Sequence, residues 1–303
     1  MKEVRDIVKF WERSGGEPLA LATLVAARGS SYRRPGARML ISAAGEAVGG
    51  VSAGCIEDDV IACAQQVLKT GMPRLMTVDT RRRFGCNGAI DIFVEPADCG
   101  LLSGLRESVG QRQSCLLETV FLGESQGTRF ATSEPAFGAF IQKIEPSLRL
   151  VLIGDSSETR ALGAYGMLLG WDVLQMQGSM SPPMHDLDER TAVLISTHNY
   201  GRDCTLLRAL LPVGLKYLGL VGSRRRRDEL LFDVMHGEVS CYSSLFAPAG
   251  LHIAAEAPEE IALSIAAEIQ SVFENGTAEH LCHRRSAIHQ NEVERSPCIG
   301  SAA

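Results

Sequence analysis

Apolar residues in the first part of the chain change their spacing several times, and each spacing predicts a different element. The runs "ALATLVAAR", "ARMLIS", "RLMTVD" and "AIDIFVEP" predict four strands. Helical spacing predicts a short amphipathic helix at the start, with an apolar face of Val4, Ile7, Val8 and Trp11. A second helix is predicted by a stripe that ends before Gly71 and Pro73 and contains Ile56, Val60, Ile61, Ala64, Val67 and Leu68.

From residue 148 the pattern becomes regular. Short apolar runs alternate with segments of helical spacing: "LRLVLIG", "WDVLQMQ", "TAVLIST" and "KYLGLVGS" are the strands, and "APEEIALSIAAEIQSVFENG" is the last helix. Such alternation is typical of βαβ units with a parallel sheet. The predicted fold class is therefore α/β, with an N-terminal mixed α/β domain and a C-terminal Rossmann-like domain that has a parallel sheet.

The change of pattern places a domain boundary near Pro146. We expect four segments along the chain. They are a cysteine-containing α/β domain over 1–125, a connecting segment over 126–147, a Rossmann-like domain over 148–285 and a flexible tail over 286–303.

Composition narrows the class of protein. The 303 residues are 45% apolar and 22% charged, and the net charge of -6 argues against a nucleic-acid binder. The charged start "MKEVRDIVKFWERSGGE" is unlike a secretory signal, and no apolar run reaches the ~20 residues of a membrane span. We therefore expect a cytoplasmic protein without a membrane partner. Nine cysteines without a CxxC pair argue against a disulfide framework or a zinc ribbon.

Cys55 lies among glycines, in "VGGVSAGCIEDDV", at the predicted start of a helix. Free backbone N–H groups and the helix dipole favour an anion there, which could be a bound phosphate or the cysteine's own thiolate. The same pattern fits a small buried cysteine that begins a helix equally well.

Cys86 lies in a second glycine-rich loop, "RRRFGCNG", directly after three arginines. The two thiols could converge on one soft metal centre or sulfur-bearing ligand, or they could belong to unrelated loops. Arginine clusters in an acidic protein favour small anionic ligands, with a solvated surface as the alternative.

The predicted parallel sheet offers a candidate cleft at the carboxyl ends of its strands, where ligands bind in such sheets. His198 and Asp203 follow the third strand, and Ser223 and Arg224 follow the fourth. For His198, an imidazole that is satisfied by local backbone groups is an equally good interpretation.

The dinucleotide-binding motif G-x-G-x-x-G is incomplete after the first strand of this domain. Gly154 is present, but Ser156 and Thr159 stand at the other two glycine positions. The second strand ends in Gln175, Met176 and Gln177 rather than in an acidic residue for a ribose. The sequence therefore favours a structural role or an altered ligand for this domain over NAD(P) binding.

Several motifs, in order along the chain, resemble the XdhC/CoxI family of accessory factors for molybdenum hydroxylases. In the first domain these are "ARGSSYRRPGARMLI", "GGVSAGCIEDDV" and "FGCNGAIDIFVEP". In the second they are "THNYGRDCTLLRALL", "KYLGLVGSRRRRDEL" and "APAGLHIAAEAPEEIALSIAAEI". The resemblance covers residues 10 to 275, with a weaker middle.

The resemblance implies a cofactor-insertion chaperone rather than a catalyst. It implies that the protein transiently binds molybdenum cofactor, as molybdopterin or its cytidine dinucleotide form, and supports its sulfuration with a cysteine desulfurase. The cofactor would then pass to the apo-enzyme of a molybdenum hydroxylase of the xanthine dehydrogenase, CO dehydrogenase or aldehyde oxidoreductase type. A homodimer is implied as well.

The resemblance also implies a site. By position, the cysteine and the acid of the family fall on Cys55 and Glu57, and a second cysteine falls on Cys86. Cys55 would contact the molybdenum centre with Cys86 as its partner, and Glu57, Arg33 and Arg34 would fix the phosphate and the pterin. The full set of expected cofactor-binding residues is Cys55, Glu57, Cys86, Gly54, Arg33, Arg34, Ser223, Arg224 and His198.

The sequence departs from the family at "GDSSETR", where the usual motif is G-A-G-H-V-G. This departure argues against nucleotide binding by the second domain, and it allows a client enzyme other than the usual ones. Two alternatives remain at this point: a nucleotide-dependent oxidoreductase and a thiol-based sulfur carrier.

Overall fold

The computed structural model describes residues 2–29, 31–54, 56–79, 88–131, 136–176, 182–183, 186–234 and 244–283. Contacts among these residues divide the chain after Pro146 into an N-terminal unit 1 and a C-terminal unit 2. The predicted fold class is confirmed, because unit 1 mixes helices with antiparallel strands and unit 2 has a parallel sheet. The predicted tail over 286–303 lies outside the described residues.

The described part of unit 1 contains two antiparallel sheets and three helices. In chain order its elements are α1 (Lys2–Arg13), β1 (Leu19–Gly29), β2 (Arg38–Ser42), β3 (Ala47–Gly49), α2 (Glu57–Thr70), β4 (Arg74–Asp79), β5 (Gly88–Pro96), α3 (Cys99–Gly110), β6 (Cys115–Val120), β7 (Gly127–Phe130) and β8 (Ala139–Ile144). The five-stranded sheet has the order β3-β2-β1-β5-β4, and the three-stranded sheet has the order β7-β6-β8.

The segment 126–147, for which the sequence predicts a connection, contains β7 and β8. Thr128 pairs with Thr119 of β6, and Gln142 pairs with Leu117 of the same strand. A four-residue strand such as β7 gives a weak periodic signal, because its stability comes from its partner strand rather than from its own sequence.

Helices cover both faces of the five-stranded sheet, because successive side chains of a strand point to opposite faces. On one face the predicted stripe of α2 packs against β1, β2 and β5, and the buried residues include Val60, Ala64, Val67, Ala22, Ile41 and Ile92. On the other face α1 and α3 cover the alternate positions, with Val4, Ile7, Leu102, Leu105, Leu21 and Leu40.

A buried arginine connects several elements of unit 1. Arg38 is 2% exposed, and its Nη1 donates to the carbonyl of Gly36 at 3.0 Å and to the side chain of Gln142 in β8. Its backbone N–H donates to Glu3 Oε1 of α1 at 2.8 Å. Burial lowers the pKa of Arg38 to about 10, although the carboxylates of Glu3 and Glu95 favour its charged form. The start of β2 is thus tied to α1 and to the three-stranded sheet.

Unit 2 is built on a parallel sheet of order β10-β9-β11-β12-β13. In chain order its elements are β9 (Arg149–Ile153), α4 (Ser157–Leu169), β10 (Asp172–Met176), β11 (Thr191–Ile195), α5 (Tyr200–Leu210), β12 (Tyr217–Leu220), α6 (Arg224–Val234), β13 (Leu245–Phe246) and α7 (Pro258–Phe273). Helices α4 and α7 cover one face, and α5 and α6 cover the other. This layering is the one that a parallel sheet requires, since both of its faces must be buried.

The helices that the structure describes include none that is both long enough and apolar enough to cross a membrane.

Replacing Gly49 by alanine should destabilise unit 1 strongly. Gly49 has a φ of +83°, and an added Cβ would lie 2.2 Å from the carbonyl oxygen of Arg38 on the neighbouring strand. We expect the free energy of unfolding to fall by about 2 kcal/mol or more, measured by denaturant titration. Gly71→Ala is the matched control, because Gly71 has a similar φ of +70° but open space around it, and its replacement should cost about 1 kcal/mol. If both variants lost the same free energy of unfolding, the close contact between an added Cβ at position 49 and the carbonyl of Arg38 would not contribute to the destabilisation.

Candidate functional site

In the register of the five-stranded sheet, three connecting segments lie at the same end of the sheet. Gly29 at the end of β1 pairs with Gly88 at the start of β5, and Asp79 at the end of β4 pairs with Ala89. Gly49 at the end of β3 lies opposite Met39, near the start of β2. We call this end of the sheet the loop end. The segments that leave it are the arginine loop (30–37), the Cys55 loop (50–56) and the Cys86 segment (80–87).

The two predicted cysteines, Cys55 and Cys86, lie outside the described residues. The described residues on either side of them lie at the loop end. Gly54 and Ile56 flank Cys55, and Asp79 and Gly88 flank the Cys86 segment. In the described parts of the chain, no three His, Cys, Asp or Glu side chains form a group that could hold a metal ion.

Glu57 holds the Cys55 loop in place. Its Oε1 accepts the backbone N–H of Ser52 at 2.9 Å, and its Oε2 accepts the Ser52 hydroxyl at 2.6 Å and the N–H of Ile56 at 3.2 Å. The backbone N–H of Gly54 in turn donates to Ser52 Oγ at 3.2 Å. The carboxylate that the sequence predicts to bind a cofactor therefore bridges both ends of the loop around residue 55.

The same contacts set the ionisation of Glu57. Burial alone would raise its pKa, but the hydrogen bonds from the Ser52 hydroxyl and from the backbone of Ser52 and Ile56 together lower it. Glu57 is thus an ionised hydrogen-bond acceptor at neutral pH.

The start of α2 is more acidic than a phosphate site would allow. Glu57, Asp58 and Asp59 all lie in its first turn, and the N-cap residue Ile56 makes no side-chain cap. These carboxylates already interact favourably with the helix dipole, and they repel a further anion. Of the anions that the free N–H groups and the helix dipole could favour here, a bound phosphate is therefore disfavoured.

Arg33 and Arg34 lie in the arginine loop, and they differ in exposure. Arg33 forms an ion pair with Glu3, which also accepts the backbone N–H of Arg38. Arg34 is exposed, and its carbonyl accepts the N–H of Ala37 at 3.1 Å. Contacts with Glu3 thus fix the arginine loop to α1, while the side chain of Arg34 extends to the surface.

Arg28 and Tyr32 also lie at the loop end and are absent from the predicted site. Arg28 makes a bidentate pair with Asp91, at 2.6 and 2.9 Å, and Thr77 donates to the same carboxylate at 2.8 Å. The guanidinium is still about half exposed. The Tyr32 side chain is 71% exposed. The signal for Arg28 is its place at the end of a strand, and Tyr32 could have been identified only as an aromatic residue between polar loop residues.

In unit 2 the structure brings His198 together with two residues that the sequence analysis missed. Ser196 Oγ donates to Glu158 Oε1 at 2.9 Å, and His198 Nε2 lies 3.2 Å from the same oxygen. Ser156 Oγ lies 3.2 Å from Ser196 Oγ. His198 has a φ of +53°, a left-handed conformation that non-glycine residues adopt rarely.

Asp203, Ser223 and Arg224 do not join that cluster. Asp203 is 1% exposed and pairs with Arg226 at 2.8 Å rather than with Arg224. The Ser223 hydroxyl accepts the backbone N–H of Arg226 at 3.2 Å, and Arg224 is exposed. These residues of unit 2 therefore form a carboxylate–imidazole cluster and, separately, an ion pair in which the carboxylate of Asp203 is buried. Because residues 224–227 are all arginines, the sequence could not indicate which of them pairs with Asp203.

Glu57→Gln should weaken the Cys55 loop in a pH-dependent way. The folded-state pKa of Glu57 is lowered, so its ionised form stabilises the fold above the unfolded value of about 4.3, and this contribution is lost as the pH falls through the folded value. We expect the variant to be less stable than the wild type by about 1 kcal/mol at pH 7, and the difference to shrink towards pH 3. Denaturant titration at several pH values measures this, with Asp58→Asn in the same helical turn as the control. A difference that does not change with pH would contradict the assignment.

Comparison with known proteins agrees with this architecture. A model described as "XdhC and CoxI family" matches residues 12–79, and one described as "XdhC Rossmann domain" matches residues 150–269. The chain is 30% identical to a protein of Bacillus subtilis (strain 168) named as a probable xanthine dehydrogenase subunit, over 84% of this chain and 92% of that protein. It is 26% identical to "Molybdenum cofactor insertion chaperone PaoD" of Escherichia coli (strain K12), over 88% of each protein.

A solved structure shares the fold. The crystal structure described as a xanthine dehydrogenase from Bacillus halodurans superimposes with a TM-score of 0.75 and 24% identity, over 92% of this chain and 98% of that one. The two family matches and the similarity to the B. subtilis protein along most of both chains show that the chain belongs to the XdhC and CoxI family, with an XdhC Rossmann domain in unit 2.

Proposed function

We propose that the protein binds molybdenum cofactor at the loop end of unit 1 and delivers it to the apo-enzyme of a molybdenum hydroxylase. The names of two relatives support this, since one is a molybdenum cofactor insertion chaperone and the other a probable xanthine dehydrogenase subunit. The main support for the proposal is the register of the five-stranded sheet. In this register the arginine loop, the Cys55 loop and the Cys86 segment are all attached at the same end of the sheet.

The arginine loop fits the phosphate end of the cofactor. A guanidinium binds phosphate through paired, charge-assisted hydrogen bonds. Arg34 is exposed, and its carbonyl accepts the N–H of Ala37, while the carbonyl of Arg33 accepts the Ser31 hydroxyl. Arg33 and Arg28 add positive charge at the same end of the sheet. Because the first turn of α2 is acidic, we assign the phosphate to the arginine loop rather than to this helix.

The cysteines fit the opposite end of the cofactor. Bound cofactor supplies the molybdenum–sulfur centre that the client enzyme uses, and thiols are soft ligands of the kind that suits such a centre. We therefore assign Cys55, with Cys86 as its companion, to this end. Glu57 is then a positioning residue, since its contacts with Ser52 and Ile56 hold the loop around Cys55.

The finer steps are part of the same proposal. The protein would protect the cofactor while a cysteine desulfurase supplies the sulfido sulfur, and it would act as a homodimer in the cytoplasm. Delivery requires that the apo-enzyme bind the cofactor more tightly than this protein does, and in this proposal the two proteins form a complex before the cofactor leaves. No group of the chain then has to act as a catalyst.

Cys55→Ala should weaken cofactor retention without unfolding the protein. Purified protein is mixed anaerobically with molybdenum cofactor and desalted, and the protein peak is assayed for molybdenum and for oxidised pterin. We expect wild-type protein to retain both and the variant to bind at least about tenfold more weakly, as when a ligand contact of a metal centre is lost. Cys99→Ala is the matched control, because Cys99 is an exposed thiol that begins α3 beyond the opposite end of the sheet.

Retention by Cys55→Ala equal to that of the wild type would remove Cys55 from the site. If wild-type protein retains no cofactor but gains a persulfide on Cys55 after incubation with a desulfurase, the sulfur-carrier function replaces the one proposed here.

Arg34→Ala should weaken binding through the phosphate. We expect an affinity loss of about tenfold at low salt that narrows as the salt concentration rises, because the removed interaction is electrostatic. Arg106→Ala is the control, since Arg106 is an exposed arginine on α3 whose guanidinium lies over the Trp11 ring at 6.0 Å. The same loss in both variants would indicate a general effect of net charge and not a phosphate contact.

A further inference from the structure

The reversal of strand order in unit 2 marks the place where nucleotides bind in sheets of this type. The chain crosses from β9 to β10 on one side and then returns to β11 on the other, so the crevice lies between the carboxyl ends of β9 and β11. Its walls are residues 154–158 after β9 and Ser196–His198 after β11. We call this the β9–β11 cradle. Four features of the cradle decide what it can hold.

First, Gly154 is needed for packing. It has a φ of +130°, and an added Cβ would lie 2.0 Å from the carbonyl oxygen of Ser196. The single glycine that survives from the dinucleotide-binding motif is thus required by the contact between β9 and β11, and its presence is no sign of a phosphate.

Second, the start of α4 is capped by its own side chains. Ser156 Oγ accepts the backbone N–H of Thr159 at 3.4 Å, and Thr159 Oγ1 accepts the backbone N–H of Ser156 at 2.9 Å. This reciprocal capping box occupies N–H groups that a pyrophosphate would otherwise use. The two residues that replace the motif glycines are the ones that form it.

Third, a carboxylate occupies the position of an anionic ligand. Glu158 lies in the first turn of α4 with its side chain 14% exposed, and its Oε1 meets Ser196 Oγ at 2.9 Å and His198 Nε2 at 3.2 Å. Burial would raise the pKa of Glu158, but hydrogen bonds from its own N–H and from Ser156, Ser196 and His198 lower it. Donors from both walls thus converge on an ionised group that belongs to the protein.

Fourth, the ribose position is also taken. Gln175, near the end of β10, donates its side-chain amide to the carbonyl of Gly154. An acidic residue at the end of this strand would accept the ribose hydroxyls in a dinucleotide fold. Gln175 instead closes the loop that follows β9.

We infer that Glu158 serves as a built-in substitute for a ligand phosphate, so that the β9–β11 cradle is closed to pyrophosphate-bearing nucleotides. His198 is then a partner of Glu158 and not a cofactor ligand. The inference concerns unit 2 alone and does not rest on the function proposed for unit 1. A direct consequence is that removal of Glu158 uncovers an anion site that the wild type lacks.

Titration calorimetry of the full-length protein with inorganic pyrophosphate and with ADP tests this. Because arginines of unit 1 could take up pyrophosphate, the quantity compared is the number of equivalents bound. We expect Glu158→Ala to bind one equivalent of pyrophosphate more than the wild type does. If the wild type binds this additional equivalent at all, we expect its affinity to be at least about tenfold lower than that of the variant. Pyrophosphate should also raise the Tm of this variant, since it satisfies the donors of Ser196 and His198.

Two further variants keep the test decisive. Glu158→Gln retains an acceptor oxygen for Ser196 and His198 without the charge, so it should gain a weaker site and can replace Glu158→Ala if that variant does not fold. Glu259→Ala removes an exposed acidic residue from the first turn of α7 and should gain no site. Saturable ADP binding by the wild type that NADH displaces would overturn the inference. So would equal stoichiometry in the wild type and both Glu158 variants, or an equal gain in Glu259→Ala.

Discussion

The antiparallel register of the five-stranded sheet is the constraint on which the rest of unit 1 depends. Since Gly29 lies opposite Gly88 and Gly49 opposite Met39, every segment with predicted chemistry in this unit must leave from one end. β1 and β5 continue past the start of β2, and the register shifts between Leu24 and Ala26 as at a β-bulge, which increases local twist. If one strand shifted its register by one residue, its side chains that now face α2 would face α1 and α3 instead, and the reverse. The apolar core therefore fixes the loop end.

Three sets of polar contacts then stabilise described residues at or beside the points where these segments leave the sheet. Glu57 bridges the Cys55 loop, and the Arg28–Asp91 pair with Thr77 joins β1, β4 and β5 where the Cys86 segment begins and ends. Glu3 and the buried Arg38 fix the arginine loop to α1 and to β8. In each case the anchoring group is a well-buried or half-buried charge with defined partners. Groups that such contacts hold are ordered before any ligand arrives, and this lowers the ordering cost of binding to them.

Unit 2 uses similar residue types to the opposite effect. Its hydroxyls, imidazole and carboxylate lie at the carboxyl ends of β9 and β11, but they bind one another. The buried Asp203–Arg226 pair is satisfied in the same way. Unit 1 leaves Arg34 and Tyr32 exposed at its loop end, whereas in unit 2 the side chains of Ser196, His198 and Glu158 contact one another. The contrast explains how one chain can keep the Rossmann architecture and lose the nucleotide motif, because the sheet and its helices pack without the phosphate.

Periodicity predicted most of the fold because it reports burial directly. The stripe of α2 and its end at Gly71 follow from spacing and from one glycine, and the parallel sheet of unit 2 follows from its short apolar runs. The strands β7 and β8 were missed, since their order depends on pairing with β6. Contacts between distant residues were also out of reach. The Glu158–His198 pair spans 40 positions and Arg28–Asp91 spans 63, and no local pattern encodes such partners.

The measurement that tests the central claim most directly is transfer of cofactor to a client. Protein loaded with molybdenum cofactor is mixed with an apo molybdenum hydroxylase, with and without an excess of a trap that destroys free cofactor, and the recovery of hydroxylase activity is followed. The account predicts that activity returns at the same rate and to the same level with the trap present, because the cofactor passes within a complex of the two proteins. Loss of the recovery when the trap is present would show that the cofactor is merely released into solution, and it would contradict a delivery function.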